Sequence, residues 1–504
     1  MNNQQISPAA SPDWGLRFAD RLKTGEPLPL IEAPLPEQLI VPLNQSIGFS
    51  ATACVQSGET VKRGQPIGSF AGNAPAAIVH APTSGTVGSI EVRPVAGRRS
   101  AVCIEIMADG KDMPWEGYLP QENPLSLPSA RLREAVTEAG IVGLGGAMFP
   151  TRIKLNPGLG VSTLILNGAE CEPLINCDDA LMNAEPESIL MGAQIMLRIL
   201  EADECIIAVK TGTMAGKHLQ ATIEKLADDR FKLIPVPDLY PAGGEIQLIK
   251  LLKNIEVPNN GLPWDTGIIC QNVGTAAALA NFFTKAEPLI RRIVTINGQG
   301  VQRPVNVRAR IGTPISELIK CAGGYTPDAA RLIMGGPMMG IALADDALPI
   351  TKACNSLFVA AEAELATKHT EMPCIRCGEC NAACPVNLSP QLLLQAGRGQ
   401  DFERLEQLAL PDCIECGCCD YVCPSHIPLT QQFRDAKKTR WDLGVEKRRA
   451  AVAEQRFRAR TERLERNADT PEVSDIKTVS EDDLSELLHR TGMTQENDQD
   501  KNTS

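Results

Sequence analysis

The sequence predicts a multidomain α+β chain, and three observations carry that prediction. Residues 39–110 hold short apolar alternations cut by glycines, residues 125–288 take turns between strand-like and helix-like apolar periods, and residues 365–432 hold two cysteine runs of one spacing. Glycine-punctuated alternation is the pattern of a small β structure. Alternating strand and helix periods make an α/β, Rossmann-like layer on a parallel sheet. Tandem cysteine triplets predict a small helical domain folded around metal-binding thiolates.

At 504 residues, 43% hydrophobic and 22% charged, the chain has room for three or four domains with cores of their own. Of its 17 cysteines, nine fall in the tandem runs and the rest are scattered singly. The odd total and a polar start without an apolar leader region point to a reducing cytoplasm. No window approaches the ~18 consecutive apolar residues of a spanning helix. Even the apolar stretch 189–200 carries Gln194 and Arg198, so the chain is not expected to cross a membrane by itself. A formal charge of −12 argues against nucleic acid as a partner.

Residues 1–38 read as an N-terminal extension. In the 39–110 unit, the stretch from Gly58 through Gly64 to Gly68 and the stretch from His80 through Gly85 to Gly88 resemble the two halves of a biotinyl or lipoyl-type barrel-sandwich hybrid, with glycines at the tight turns. The segment between the halves, residues 71–77, lacks the acidic-lysine-alanine hairpin that carries such a cofactor. This domain therefore reads as scaffold.

From Ala130 the period turns helical, with Leu132, Ala135, Val136 and Ala139 on one side and Gly140 at the end. The loop that follows runs through Gly143, Gly145, Gly146 and Phe149 to Lys154. Glycines at this density let backbone amides approach a phosphate or a planar ring, and a lysine can neutralise the anion. The loop follows a helix, so it is not the ordinary dinucleotide fingerprint. Strands are expected at 162–167, 205–210 and 231–236, with helices at 187–200 and 214–227. Ligands of such a layer sit at the carboxyl ends of its strands. There lie Asn167, Glu170 and Glu172 in Asn-Gly-Ala-Glu-Cys-Glu-Pro; farther on come Gly244 and Glu245 in a Gly-Gly-Glu turn, then Gln271, Asn272, Gly274 and Thr275.

Residues 289–350 form another unit in which no chemistry converges. The cysteine runs come next: Cys374, Cys377, Cys380 and Cys384 before Pro385, then Cys413, Cys416, Cys419 and Cys423 before Pro424. Each is the C-x2-C-x2-C-x3-C-P pattern of a four-iron cluster, whose fourth cysteine ligates the other cluster. One cluster is thus assigned to Cys374, Cys377, Cys380 and Cys423, and the other to Cys413, Cys416, Cys419 and Cys384. Disulfides and paired zinc sites also use C-x2-C spacing. Cys418 is out of register and is left unliganded. Residues 434–466 carry twelve basic side chains against six acidic, which reads as a solvated helical arm or one lying on a partner or anionic lipid. Residues 469–504 have ten acidic against three basic and little to bury, and read as a disordered tail.

Taken together, the glycine loop, the Asn-Gly-Ala-Glu-Cys-Glu-Pro strand end, the Gly-Gly-Glu turn and the Asn-Val-Gly-Thr segment resemble the flavin- and NADH-binding subunit of respiratory complex I. A barrel-sandwich start and a tandem ferredoxin-like run in the same chain are more similar still to the C subunits of Rnf electron-transport complexes. The resemblance implies FMN held noncovalently near Gly143, Gly145, Gly146, Lys154, Asn167, Glu170, Asn272 and Thr275. It implies NADH over the flavin near Phe149, Glu172 and Glu245, with Gly244 in the same turn. Residues 289–350 resemble the β-grasp module that follows the flavin domain in complex I. The chain departs from complex I at Gly274, where an acidic residue is lost.

The activity implied is electron transfer between NADH and ferredoxin or flavodoxin, through FMN and two 4Fe-4S clusters. No catalytic side chain is expected, because the cofactors carry the chemistry. The partners implied by the resemblance are the membrane and peripheral subunits of an Rnf complex, expected to couple electron flow to ion transport at the cytoplasmic face of the bacterial inner membrane. A flavin and iron-sulfur cobalamin reductase of a microcompartment, and a flavin-free ferredoxin-like docking protein, are the rival readings.

Overall fold

Four sheets organise the computed structural model, which describes residues 12–18 and 28–468 apart from 73, 157, 159, 260 and 366–369, together with 480, 482 and 486. The chain divides into two compact units, Met1–Lys437 and Lys438–Ser504.

The glycine-punctuated stretch folds as two facing sheets. One contains Gln38–Pro42, Arg98–Ala108, Gly85–Val95 and Thr60–Val61; the other contains Thr52–Ala53, Pro66–Ser69 and Val79–His80. Their inward residues, among them Val41, Val61, Ile67, Val87, Ile104 and Ile106, form one apolar core. Period-two alternation sends these side chains to one face.

The α/β layer is a parallel sheet in the order Phe231–Val236, Glu204–Lys210, Thr163–Gly168, Ile268–Asn272. Helices are found at Ser129–Glu138, Cys177–Ala184, Pro186–Leu200, Met214–Leu226, Glu245–Lys253 and Val273–Lys285. The helix Pro186–Leu200 passes so close to Val273–Lys285 that a Cβ on Gly192 would overlap the backbone of Ala276.

Around the next helix, Ile315–Cys321, lies a six-stranded sheet that exceeds the span expected for this module. It takes Ser356–Ala361, buried along its whole length, as an inner strand beyond residue 350. It also takes Leu30–Glu32 as a parallel edge strand, with Leu30 opposite Asn306 and Glu32 opposite Arg308. The N-terminal segment is therefore more than an extension. Its residue Leu16 pairs with Tyr240 of the α/β layer as well. Lys352, 1% exposed, joins three modules by donating from Nζ to the carbonyls of Ile78 at 3.1 Å and Gly140 at 2.7 Å. Burial pulls its pKa down to about 7.

The cysteine region is helical only in short pieces. Glu379–Ala382 and Cys418–Tyr421 each begin after a left-handed glycine, Gly378 at φ 87° and Gly417 at φ 79°. Leu393, Leu394, Leu405, Leu410, Ile427 and Phe433 supply the core. The basic arm lies in one helix, Leu429–Ala468. Among the described residues no helix is long and apolar enough to cross a membrane. The acidic tail falls almost wholly outside the described residues.

Candidate functional site

In the parallel sheet the first strand, Thr163–Gly168, is flanked by the second and the fourth, so the connections diverge between Thr163–Gly168 and Ile268–Asn272. A crevice opens at such a switch point, outside the carboxyl ends of the strands. Asn167 and Asn272 are direct register partners there.

Both asparagines hold the protein itself together. Asn167 donates from Nδ2 to the carbonyl of Gly243 at 2.7 Å and accepts on Oδ1 from the Ala169 amide at 3.0 Å, which ties the strand end to the Gly243-Gly244-Glu245 turn. Asn272 caps the helix Val273–Lys285, accepting from the Gly274 amide at 2.8 Å, and donates to Asp178 at 2.6 Å. Thr275 Oγ1 accepts from the Leu144 amide at 3.0 Å, drawing the glycine loop onto the start of that helix. Gly143 closes the loop by donating to the Phe149 carbonyl at 2.8 Å. Gly146, at φ 106°, has open space where a Cβ would stand. Lys154 enters from the side, its Nζ 2.7 Å from Glu245 Oε1 and 3.2 Å from the Cys270 carbonyl. Gly244 is the N-cap of the helix Glu245–Lys253.

Two of the acidic residues, Glu170 and Glu172, also bond within the protein. Glu172 accepts on Oε1 from the amides of Met338 at 2.7 Å and Met339 at 3.0 Å, which ties this carboxylate to the six-stranded module. Glu170 accepts from the Cys177 thiol at 3.1 Å and the Asp178 amide at 3.3 Å. Burial, reinforced by the charge of Asp178, pushes Glu170 up to about 8; burial first of all pushes Asp178 up to about 6. A carboxyl raised in the folded state binds more protons than in the unfolded one, so stability falls as pH rises through that window. Glu170→Gln is expected to flatten the fall in unfolding midpoint between pH 5 and pH 8, recovering on the order of 1–3 kcal/mol at the alkaline end. An unchanged slope would show that Glu170 is not the titrating group.

Sequence reasoning missed Arg292. This side chain, 5% exposed, donates from Nη2 to the Leu144 carbonyl at 2.6 Å and from Nε to the Cys354 carbonyl at 3.0 Å. Its Nη1 is a buried donor without a partner among the described residues. Nothing in the Arg291-Arg292 doublet distinguishes a buried arginine from an exposed one. Trp264 was missed too; its ring lies 6.4 Å from that of Phe149.

The cysteines gather in two pockets. One is lined by Cys374, Cys377, Cys380 and Cys423, the other by Cys384, Cys413, Cys416 and Cys419, with Cys418 also on its wall. The chain crosses between the runs because Met372 donates to the Ser425 carbonyl at 2.9 Å and Ser425 Oγ donates to the Pro373 carbonyl at 3.0 Å, which brings Cys423 beside the first triplet.

Comparison with known families places names on these units. The RnfC barrel sandwich hybrid domain matches residues 13–111, the Nuo51 FMN-binding domain residues 136–281, the SLBB domain residues 293–342 and the 4Fe-4S dicluster domain residues 367–424. The C subunit of the ion-translocating oxidoreductase complex of Pseudomonas aeruginosa is 43% identical over 87% of this chain and 57% of its own length; that of Erwinia tasmaniensis is 41% identical over 90% and 56%. The corresponding protein of Yersinia pestis is 40% identical over 90% of this chain and 73% of its own length. This chain belongs to the RnfC family, the C subunits of ion-translocating oxidoreductase complexes. It spans little more than half the length of the first two relatives.

FMN and iron–sulfur clusters are the cofactors that an RnfC protein with these domains holds. The donor set fits an anionic flavin: an unpartnered buried guanidinium nitrogen on Arg292, the Lys154 ammonium and a glycine loop with space beside Gly146. The thiol pockets fit clusters whose fourth ligand comes from the opposite run.

Proposed function

We propose that this RnfC chain is the peripheral electron-input subunit of a membrane-bound Rnf-type complex at the cytoplasmic face of the bacterial inner membrane. It passes electrons between NADH and ferredoxin-type carriers, and partner subunits couple that flow to ion translocation. The observation that carries the reading is the pair of four-cysteine pockets in the same compact unit as a switch-point crevice with flavin-type donors. Bound FMN supplies the exchange between a two-electron hydride donor and one-electron carriers.

The chain's own residues do the rest. Lys154 and the amides of the Gly143–Gly146 loop bind the flavin phosphate or ring edge, and Glu245 orients the Lys154 ammonium. Arg292 and Thr275 hold the Leu144 backbone, and with it the loop, in place. The faces of Phe149 and Trp264 offer aromatic surface to a nicotinamide or adenine ring. Cys374, Cys377, Cys380 and Cys423 hold one 4Fe-4S cluster, and Cys384, Cys413, Cys416 and Cys419 hold the other.

Anaerobic titration of the reconstituted protein with NADH tests this, read by flavin absorbance and by paramagnetic resonance. Flavin bleaching followed by reduced four-iron signals is the expected result. A preparation that binds FMN and iron but stays oxidised in excess NADH would overturn the NADH assignment.

A further inference from the structure

One side chain joins the α/β layer to the second cysteine run. Tyr240, 2% exposed, opens the turn that carries Gly243, Gly244 and Glu245, and its hydroxyl donates to the carbonyl of Cys416 at 2.6 Å. The contact sits in an apolar seam where Leu16, Tyr240, Ala383, Cys416 and Cys418 are buried together. Across this seam Cys171, from the strand end after Asn167, packs from the flavin side and Val422 from the cysteine side.

A strap made of residues 15–18 braces the joint. Leu16 and Tyr240 exchange both backbone hydrogen bonds, at 2.8 and 3.0 Å, and the Gly15 amide donates to the Ala383 carbonyl at 3.2 Å. The Phe18 ring lies 5.7 Å from that of Tyr240 and meets Tyr421 edge-on at 5.6 Å. Gly15 is left-handed at φ 84°, and a Cβ there would run into the Tyr240 carbonyl oxygen, so the strap requires glycine. The two pockets differ in exposure. Cys384, Cys416 and Cys419 are buried, whereas Cys374 and Cys377 are exposed, with Ile375 between them 68% exposed.

We propose that Tyr240, braced by the strap, is a positioning residue that fixes the flavin-side turn against the second cysteine run, so that electrons pass first between the flavin and the cluster on Cys384, Cys413, Cys416 and Cys419. The cluster on Cys374, Cys377, Cys380 and Cys423 then faces the external carrier. This order rests on the function proposed above. Each NADH gives NAD+, one proton and two electrons; the electrons cross the seam singly, the proton goes to solvent, and no protein bond forms or breaks.

Tyr240→Phe keeps the ring and removes the hydrogen bond. Rapid mixing with NADH is expected to show flavin reduction at the wild-type rate and cluster reduction slowed about three- to tenfold, because the flavin-side turn is no longer held in one place against the second cysteine run. Only the paramagnetic signal of the Cys416 cluster is expected to shift, which general loosening would not produce. Gly15→Val is expected to slow cluster reduction similarly and to release the Leu16 amide to hydrogen exchange. In Cys413→Ala, reduction of the remaining cluster is expected to fall by about tenfold or more, because its electrons lose their positioned route. Wild-type cluster kinetics and signals in Tyr240→Phe would overturn the role of Tyr240, and wild-type reduction of the remaining cluster in Cys413→Ala would overturn the order. Photoreduction of the flavin bypasses NADH. Seam transfer after photoreduction, in a protein that NADH does not reduce, would support the seam while overturning the NADH assignment.

Discussion

Cys377→Ala is expected to lower bound iron from about eight to about four atoms per chain and to erase one of two four-iron signals. NADH should still bleach the flavin, while transfer to an external carrier stops. The reasoning is geometric. Cys377 lines a pocket with Cys374, Cys380 and Cys423, and none of the four lines the pocket of Cys384, Cys413, Cys416 and Cys419. The flavin-side residues bond to other segments, Lys154 to Glu245 and Cys270, and Thr275 to Leu144. A folded variant that lost flavin bleaching along with the iron signal would show that the two sites are not separable in this way.

The second large effect is expected at Lys154. Its side chain is mostly buried, 16% exposed, and the ammonium bridges Glu245 and the Cys270 carbonyl. Removing it takes away the cation offered to the flavin and leaves the Glu245 carboxylate facing an anionic ligand. Truncating one member of such a charge pair costs about 2–4 kcal/mol of binding, or roughly 30- to 1000-fold. Lys154→Met should weaken FMN binding by that factor, measured by flavin fluorescence on titrating the flavin-free protein. A change under about threefold, less than a single ordinary hydrogen bond, would remove Lys154 from the site.

Much of this architecture is legible in the residues because it is local. The cysteine spacings, the helical period ending at Gly140 and the strand 231–236 all lie within one short window each, and the structure places Ser129–Glu138 and Phe231–Val236 accordingly. What escapes depends on partners far along the chain. Glu172 reads as a ligand because it stands at a strand end; only the fold brings the Met338 and Met339 amides to it, 166 and 167 residues away. Asn167 and Asn272 do share a place, as the register pairs them, yet their amides bond to Gly243 and Asp178. Arg292 is a buried arginine whose environment no window around it reveals. Ser356–Ala361 lies beyond the expected module since a short apolar run does not say which sheet will take it in.

The two N-terminal contacts have a bearing on how the polypeptide is made. Leu30–Glu32 has its partner in Val305–Arg310, and Leu16 waits for Tyr240. On the ribosome these first pieces emerge hundreds of residues before the surfaces that receive them, and an early strand without a neighbour is a risk for wrong pairing. Phe18 meets Tyr421, beyond all but the last of the cysteines. The Phe18 contact can therefore form only after most of the segment that must receive its iron has been synthesised.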